Sequence, residues 1–94
     1  MPFYSDEIVE EVRSRSDIVD VISQYVKLRR RGSNYVGLCP FHNEKTGSFS
    51  VSAAKQMYYC FGCGAGGDVF AFLMNYENET FTEALQELAD RGGV

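Results

Sequence analysis

Tryptophan is absent from this sequence, histidine occurs once, proline twice and cysteine three times. The first residues, Met1 to Glu7, have no basic cluster followed by an apolar stretch, so no secretory signal is read there. The longest uninterrupted apolar run is Val69 to Met74, far below the roughly 20 residues a membrane helix needs. Together these absences lead to the expectation of an intracellular, cytoplasmic protein. In a reducing compartment three cysteines are expected to be metal ligands or reactive thiols rather than disulfides. Their odd number also rules out complete pairing within the chain.

What is present fits one small domain spanning residues 1–94. A chain of this length buries little apolar surface, so a staple is expected. The net charge of −4 argues at first against an anionic partner. The distribution reverses that: residues 1–23 sum to −4, residues 24–60 to +5 and residues 61–94 to −5. Local field rather than total charge steers an anionic ligand.

Ser5 before Asp6 and Glu7 predicts a helix N-terminus, with the helix running to about Arg13. Ser16-Asp17 repeats the signal, and Ile18, Val21, Ile22, Tyr25 and Val26 recur at helical spacing. Tyr25 to Arg29 ends in alternating apolar and basic residues and predicts a half-exposed strand. Arg31-Gly32-Ser33-Asn34 reads as a turn, and Tyr35 to Leu38 as the return strand. Ser48 to Ser52 alternates cleanly. Gln56 to Cys60 is the fourth expected strand, joined by Ala53-Ala54-Lys55. Asp68 is expected to cap a helix carrying Val69, Phe72, Leu73 and Tyr76 on one face. Thr80 to Glu83 has capping-box spacing ahead of the stripe Phe81, Ala84, Leu85, Leu88 and Ala89, which Gly92-Gly93 ends. No repeat, low-complexity tract or internal linker interrupts this order. The chain stops just past a helix C-cap, which reads as a piece of a longer protein.

All three cysteines and the sole histidine fall into two short pairs. Cys39-Pro40-Phe41-His42 is followed, after 17 intervening residues, by Cys60-Phe61-Gly62-Cys63. Two intervening residues let a tight turn aim both ligands at one point, and a second such turn completes a tetrahedron. Three thiolates and one imidazole suit a closed, structural Zn²⁺ site with no open position for catalysis. Pro40 stiffens the first turn, while Gly62 and Gly64 permit the backbone angles of the second. One zinc ion of this kind contributes on the order of 10 kcal/mol and would be the staple.

Two rival readings use the same residues. Cys60 and Cys63 match the spacing of a thioredoxin-like redox pair, but no parallel-sheet pattern surrounds them, and Cys39 and His42 would be left without a role. Gly62 to Gly67 matches G-x-G-x-x-G, yet a second helix follows where a dinucleotide fold needs a parallel strand. The glycines are therefore expected to turn the chain from the metal knuckle into a helix.

Lys27, Arg29 and Arg31 fall on one face by period two, with Arg30 beside them. Lys45 and Lys55 add charge, and Tyr35, Phe49, Tyr58, Tyr59 and Phe61 lie on neighbouring strands or the second knuckle. Cations beside flat rings suit single-stranded nucleic acid, since cations track phosphates and rings stack on bases. The bland alternative is that edge-strand cations only block edge pairing and that a small ribbon buries several of its rings.

Residues 17–89 resemble the N-terminal zinc-binding domain of bacterial replicative DNA primases, most specifically in "DIVDVI", "GLCPFHNEKT", "SFSV", "CFGCGAGGD" and "FLM". The resemblance implies a small α+β fold, a zinc ribbon on an antiparallel β-sheet flanked by short N- and C-terminal helices. It implies Cys39, His42, Cys60 and Cys63 as metal ligands. It implies a role in engaging single-stranded template DNA through the basic strand, best at Lys27 and Arg29, as part of a protein that makes short RNA primers. The fuller set of expected nucleic-acid contacts is Lys27, Arg29, Arg30, Arg31, Tyr35, Lys45, Phe49, Lys55 and Tyr58. In that family a following polymerase domain holds Mg²⁺ and makes the primer, and a further segment docks on the replicative helicase. This segment alone is therefore expected to have no catalytic residues, with the polymerase domain as partner in cis or trans. The alternative is a zinc ribbon that docks on a polymerase or helicase partner without reading DNA. The chain departs from the family pattern at Ser33, usually basic, at Gly47, usually proline, and at Tyr59, usually histidine.

Overall fold

The computed structural model describes residues 5–41 and 47–93. Ser5 accepts the amide hydrogen of Ile8 at 3.3 Å and opens helix α1 (Asp6–Ser14). Asp6 and Glu7 lie at its positive end and Arg13 in its last turn, as the helix dipole favours. Asp17 caps α2 (Ile18–Ser23) by accepting from Asp20 N–H, and this short helix buries Ile18, Val21 and Ile22.

The strand expected at Tyr25 begins later, at Arg29. The amides of Tyr25 and Val26 both donate to Ile22 O, at 2.9 and 2.8 Å, so they prolong the helical turn and cannot join a ladder. Strands β1 (Arg29–Arg31), β2 (Asn34–Gly37), β3 (Phe49–Ser52), β4 (Met57–Cys60) and β5 (Gly66–Gly67) form one antiparallel sheet in sequence order. Arg31 pairs with Asn34 across Gly32-Ser33, and Gly32 takes φ +64°, which glycine adopts without strain.

Gln56, read as the first residue of the fourth strand, instead sits in the turn before it with φ +54°. Its side chain compensates. It donates to Asp17 Oδ1 (2.9 Å) and Ala53 O (2.8 Å) and accepts from Ile18 N–H (2.9 Å), which ties the β3–β4 turn to the start of α2. The glycines past the knuckle are more than a turn. Gly66 and Gly67 pair with Tyr59 and Tyr58 as a fifth strand.

Asp68 then caps α3 (Val69–Tyr76) through Ala71 N–H at 2.9 Å. Thr80 and Glu83 form the expected capping box at the head of α4 (Phe81–Gly92), which Gly93 ends at φ +74°. Helices α2 and α3 pack on one face of the sheet, with α4 packed on α3 and α1 on α4. Between them lies a core built on Phe49, Val51, Tyr58, Phe72, Leu73, Leu85 and Leu88, each at most 2 % exposed. Edge-on ring packing orders it, with Tyr58 and Phe72 centroids 5.5 Å apart at 89°. Among the described residues no helix is long and apolar enough to cross a membrane.

Candidate functional site

Cys60 is the last residue of β4, and Cys63 stands on the turn that leaves it. That turn is fixed by backbone bonds from Gly64 N–H to Cys60 O and from Cys60 N–H to Ala65 O, both 2.8 Å. Gly64 takes φ +78° within it. Cys39 follows β2 and reaches the same point from across the sheet. The three Sγ atoms all lie within 4.8 Å of one another, and Cys39 Sγ and Cys63 Sγ are 3.8 Å apart. A tetrahedral zinc with Zn–S bonds of about 2.3 Å places its sulfurs about 3.8 Å apart. A disulfide would bring them to about 2.05 Å.

The electrostatics also call for a cation. Burial pushes the Cys39 thiol up to about 12; the Phe41 amide, which donates to its sulfur at 3.4 Å, opposes the rise, and the sulfurs of Cys60 and Cys63 add to it. Burial raises Cys60 as well, but the amides of Cys63 and Gly62 and the neighbouring thiols outweigh it, leaving Cys60 below the ordinary thiol value. Three close sulfurs cannot all be thiolates without a positive charge among them. Three convergent thiols with amide donors already aimed at sulfur fit Zn²⁺. His42 lies outside the described residues, as does Lys45.

The face of the sheet opposite the helices is the second feature. Cross-strand partners share a face. One row therefore runs Arg29–Val36–Ser50–Tyr59–Gly66, and a second runs Arg31–Asn34–Ser52–Met57. Cations stand at one side and an exposed ring pair at the other. Tyr59 is 46 % and Phe61 77 % exposed, and their rings meet edge-on with centroids 4.9 Å apart. A cleft of about 520 Å³ lies at this side, lined by Ser50, Ser52, Lys55, Met57, Tyr59 and Phe61.

This placement corrects the expected contact set at several positions. Phe49 is fully buried and Tyr58 is 2 % exposed, because both alternate inward beside Cys60, so neither ring is open to a base. Tyr35 pairs with Val51 and packs against the core on the same inner side. Arg30 is exposed but pairs with Tyr35, facing away from Arg29 and Arg31, and its Nε donates to Gly32 O at 3.1 Å. Lys27 is exposed ahead of β1 rather than on it, beside Arg29 at the rim of an apolar groove. Lys55 is exposed at the ring side. The rings that do face outward are Tyr59 and Phe61, which the sequence places among the candidate rings but which stand outside the fuller contact set. The signal was available: a buried ligand at Cys60 forces its neighbour Tyr59 to the opposite face.

Comparison with known proteins agrees with this geometry. The family model of the CHC2 zinc finger matches residues 4–94. The DNA primase of Geobacillus stearothermophilus is 58 % identical over 89 residues, covering 95 % of this chain and 15 % of that protein. The DNA primase of Listeria monocytogenes is 55 % identical over 85 residues, covering 90 % of this chain and 14 % of that protein. This chain thus spans about a seventh of the length of these relatives. A crystal structure of the zinc-binding and RNA polymerase domains of the Aquifex aeolicus primase superposes with a TM-score of 0.88 at 51 % identity, over 92 % of this chain and 21 % of that one. With three thiols converged on one point and the family match running nearly end to end, the chain belongs to the CHC2 zinc fingers, the zinc-binding domains of DnaG-type DNA primases.

Proposed function

We propose that this domain engages single-stranded template DNA for a primase, using the sheet face opposite the helices. The observation that carries the reading is the two-row order of that face, with Arg29 and Arg31 at one side and Tyr59 and Phe61 at the other. Guanidinium groups suit phosphates, and exposed rings stack on bases of any sequence. Lys27 extends the cationic side and Lys55 adds a charge beside the rings, while His42 completes the zinc ligands begun by the three cysteines. Zinc is structural here. It ties Cys39 behind β2 to the knuckle behind β4 and so holds the sheet in the register that presents the face.

Primer synthesis, with its Mg²⁺, belongs in this reading to a polymerase domain outside this sequence. That domain and the replicative helicase are the protein partners, and the bacterial cytoplasm at the replication fork is the setting. Few phosphates are within reach and both flanks are acidic, so affinity is expected to be low and strongly salt-dependent. Fluorescence anisotropy of a labelled single-stranded oligomer against the zinc-loaded chain tests this. Lys27→Ala with Arg29→Ala is expected to weaken binding about tenfold and to flatten the salt dependence. Unchanged affinity in that double variant would show the cationic face to be a bystander.

A further inference from the structure

The sheet has open edges as well as two faces. β1 stands first in its order, and among the described residues no strand pairs with its outer edge. Arg31 and Asn34 close a two-residue turn, so they exchange hydrogen bonds with each other, and the amide and carbonyl of Arg30 point away from β2, towards that edge.

Ahead of β1 the edge runs into a groove of about 570 Å³, and Arg29 belongs to both. Val26, Leu28, Val36, Leu38 and Pro40 form its walls. At Gly37 the two sides meet. A Cβ there would lie 2.6 Å from Lys27 O, so the end of β2 rests directly on the backbone that leads into β1. Leu38 stands 53 % exposed on the far wall.

This chemistry selects an occupant. The ring among the described lining residues, Tyr25, is packed on Phe72 and Tyr76, with centroids 5.9 and 4.8 Å away. A base therefore finds no open ring to stack on here, whereas aliphatic side chains suit aliphatic walls. Lys27 and Arg29 flank the groove and Arg30 and Arg31 follow along the strand, all exposed, and no acidic residue is among the described lining residues. Cations on an edge strand block most strand pairing, but they favour an acidic strand, because opposite charges on paired strands attract.

We propose that the β1 edge and this groove bind an acidic, extended segment of a partner protein. Its acidic half is added to the sheet as a strand beside Arg29–Arg31, and its aliphatic end is seated between Leu28 and Leu38. Backbone pairing supplies affinity, and the cations and groove supply specificity. The inference stands apart from the template-binding reading, since it needs no contact with a base.

Fluorescence anisotropy of the zinc-loaded chain at fixed low salt tests it, with the labelled peptides DEDEVLV and VLVDEDE, one for each strand direction. One of them is expected to bind about tenfold tighter than its counterpart with serine in place of valine and leucine, and the counterpart with lysine in place of the acids is expected not to bind. N-methylation of the amides in the acidic half, which keeps every charge, is expected to weaken binding about tenfold; this arm needs no protein variant. Leu38→Asn, at an exposed position, is expected to weaken the peptide about fivefold at unchanged zinc content. Equal binding of the serine counterpart would reduce the contact to charge attraction, and equal binding of the N-methylated peptide would remove the strand. Either result, or an affinity that Leu38→Asn leaves unchanged, would overturn the inference and leave the template-binding reading standing. Leu38→Asn weakening labelled dT12 as much as the peptide would assign the groove to nucleic acid. A dimer in sedimentation velocity that the peptide fails to dissociate would assign it to a second copy of the chain. Both of these also contradict the proposal.

Discussion

At the scale of single residues, the chain contains groups whose surroundings work against their charge. Cys39 is such a group, pushed up by burial, and a cation among the sulfurs would resolve it. Glu79 is another, and no cation among the described residues pairs with it. Burial raises its carboxyl above the usual value, and Glu87, Glu77 and Glu83 raise it further. Among the described residues no donor reaches its buried Oε1. A carboxyl raised in the folded state contributes stability that is complete below about 4.5 and is lost as the pH rises through its higher folded value. At neutral pH the penalty is fully present. Glu79→Gln is therefore expected to stabilise the domain at pH 7 by about 0.5 kcal/mol, with the gain vanishing near pH 4. Thermal melts of both proteins at the two pH values check this, and an equal gain at pH 4 would assign the effect to packing rather than charge.

The elements show what a sequence makes legible and what it hides. Ser5, Asp68 and Thr80 each accept the hydrogen bond their spacing promised, whereas at the second helix the cap falls one residue past Ser16, on Asp17, because the buried Ser16 Oγ donates to Val12 O. The knuckle pairs placed the three thiols because ligand spacing is a local property. Strand β1 was displaced because Val26, Leu28 and the intervening Lys27 alternate like a strand, although the amides of Tyr25 and Val26 are spent on Ile22 O. Alternation in a short window cannot tell a strand from the frayed end of a helix. Strand β5 was hidden because two glycines carry no side-chain pattern at all. Its value lies in what it lacks. A Cβ on Gly66 would press on the Tyr59 ring at 2.9 Å and on Tyr58 O at 3.0 Å. Gly66→Ala is expected to cost about 1–3 kcal/mol in urea denaturation. It is also expected to weaken single-stranded DNA binding by displacing Tyr59. A stability change within about 0.3 kcal/mol would show that β5 shifts freely and does not support the ring.

Across the whole molecule the parts divide between the two faces of one thin sheet. Helices and rings fill the inner face, and the outer face is left to cations, hydroxyls and Tyr59. The charge order along the chain follows this division, since the acidic segments at both ends form the helices and the basic middle third forms most of the sheet. In the proposed reading, acidic flanks would repel a nucleic acid everywhere except at that sheet, setting where it binds without making it bind tightly. A zinc ion on the three thiols would join the sheet to itself. Without it, Cys39 and the Cys60–Cys63 knuckle are three close thiols, and the segment after β2 is held to β4 mainly by the Phe41 ring, whose centroid lies 5.9 Å from that of Tyr58.

The most direct test of the account is therefore zinc content measured together with the melt. Native mass spectrometry of the purified chain is expected to show one Zn²⁺ per polypeptide, reduced to a small fraction by Cys60→Ser. Chelation is expected to lower the Tm by more than about 10 °C and broaden the transition. A chain free of bound metal that still unfolds sharply at the same temperature would contradict it.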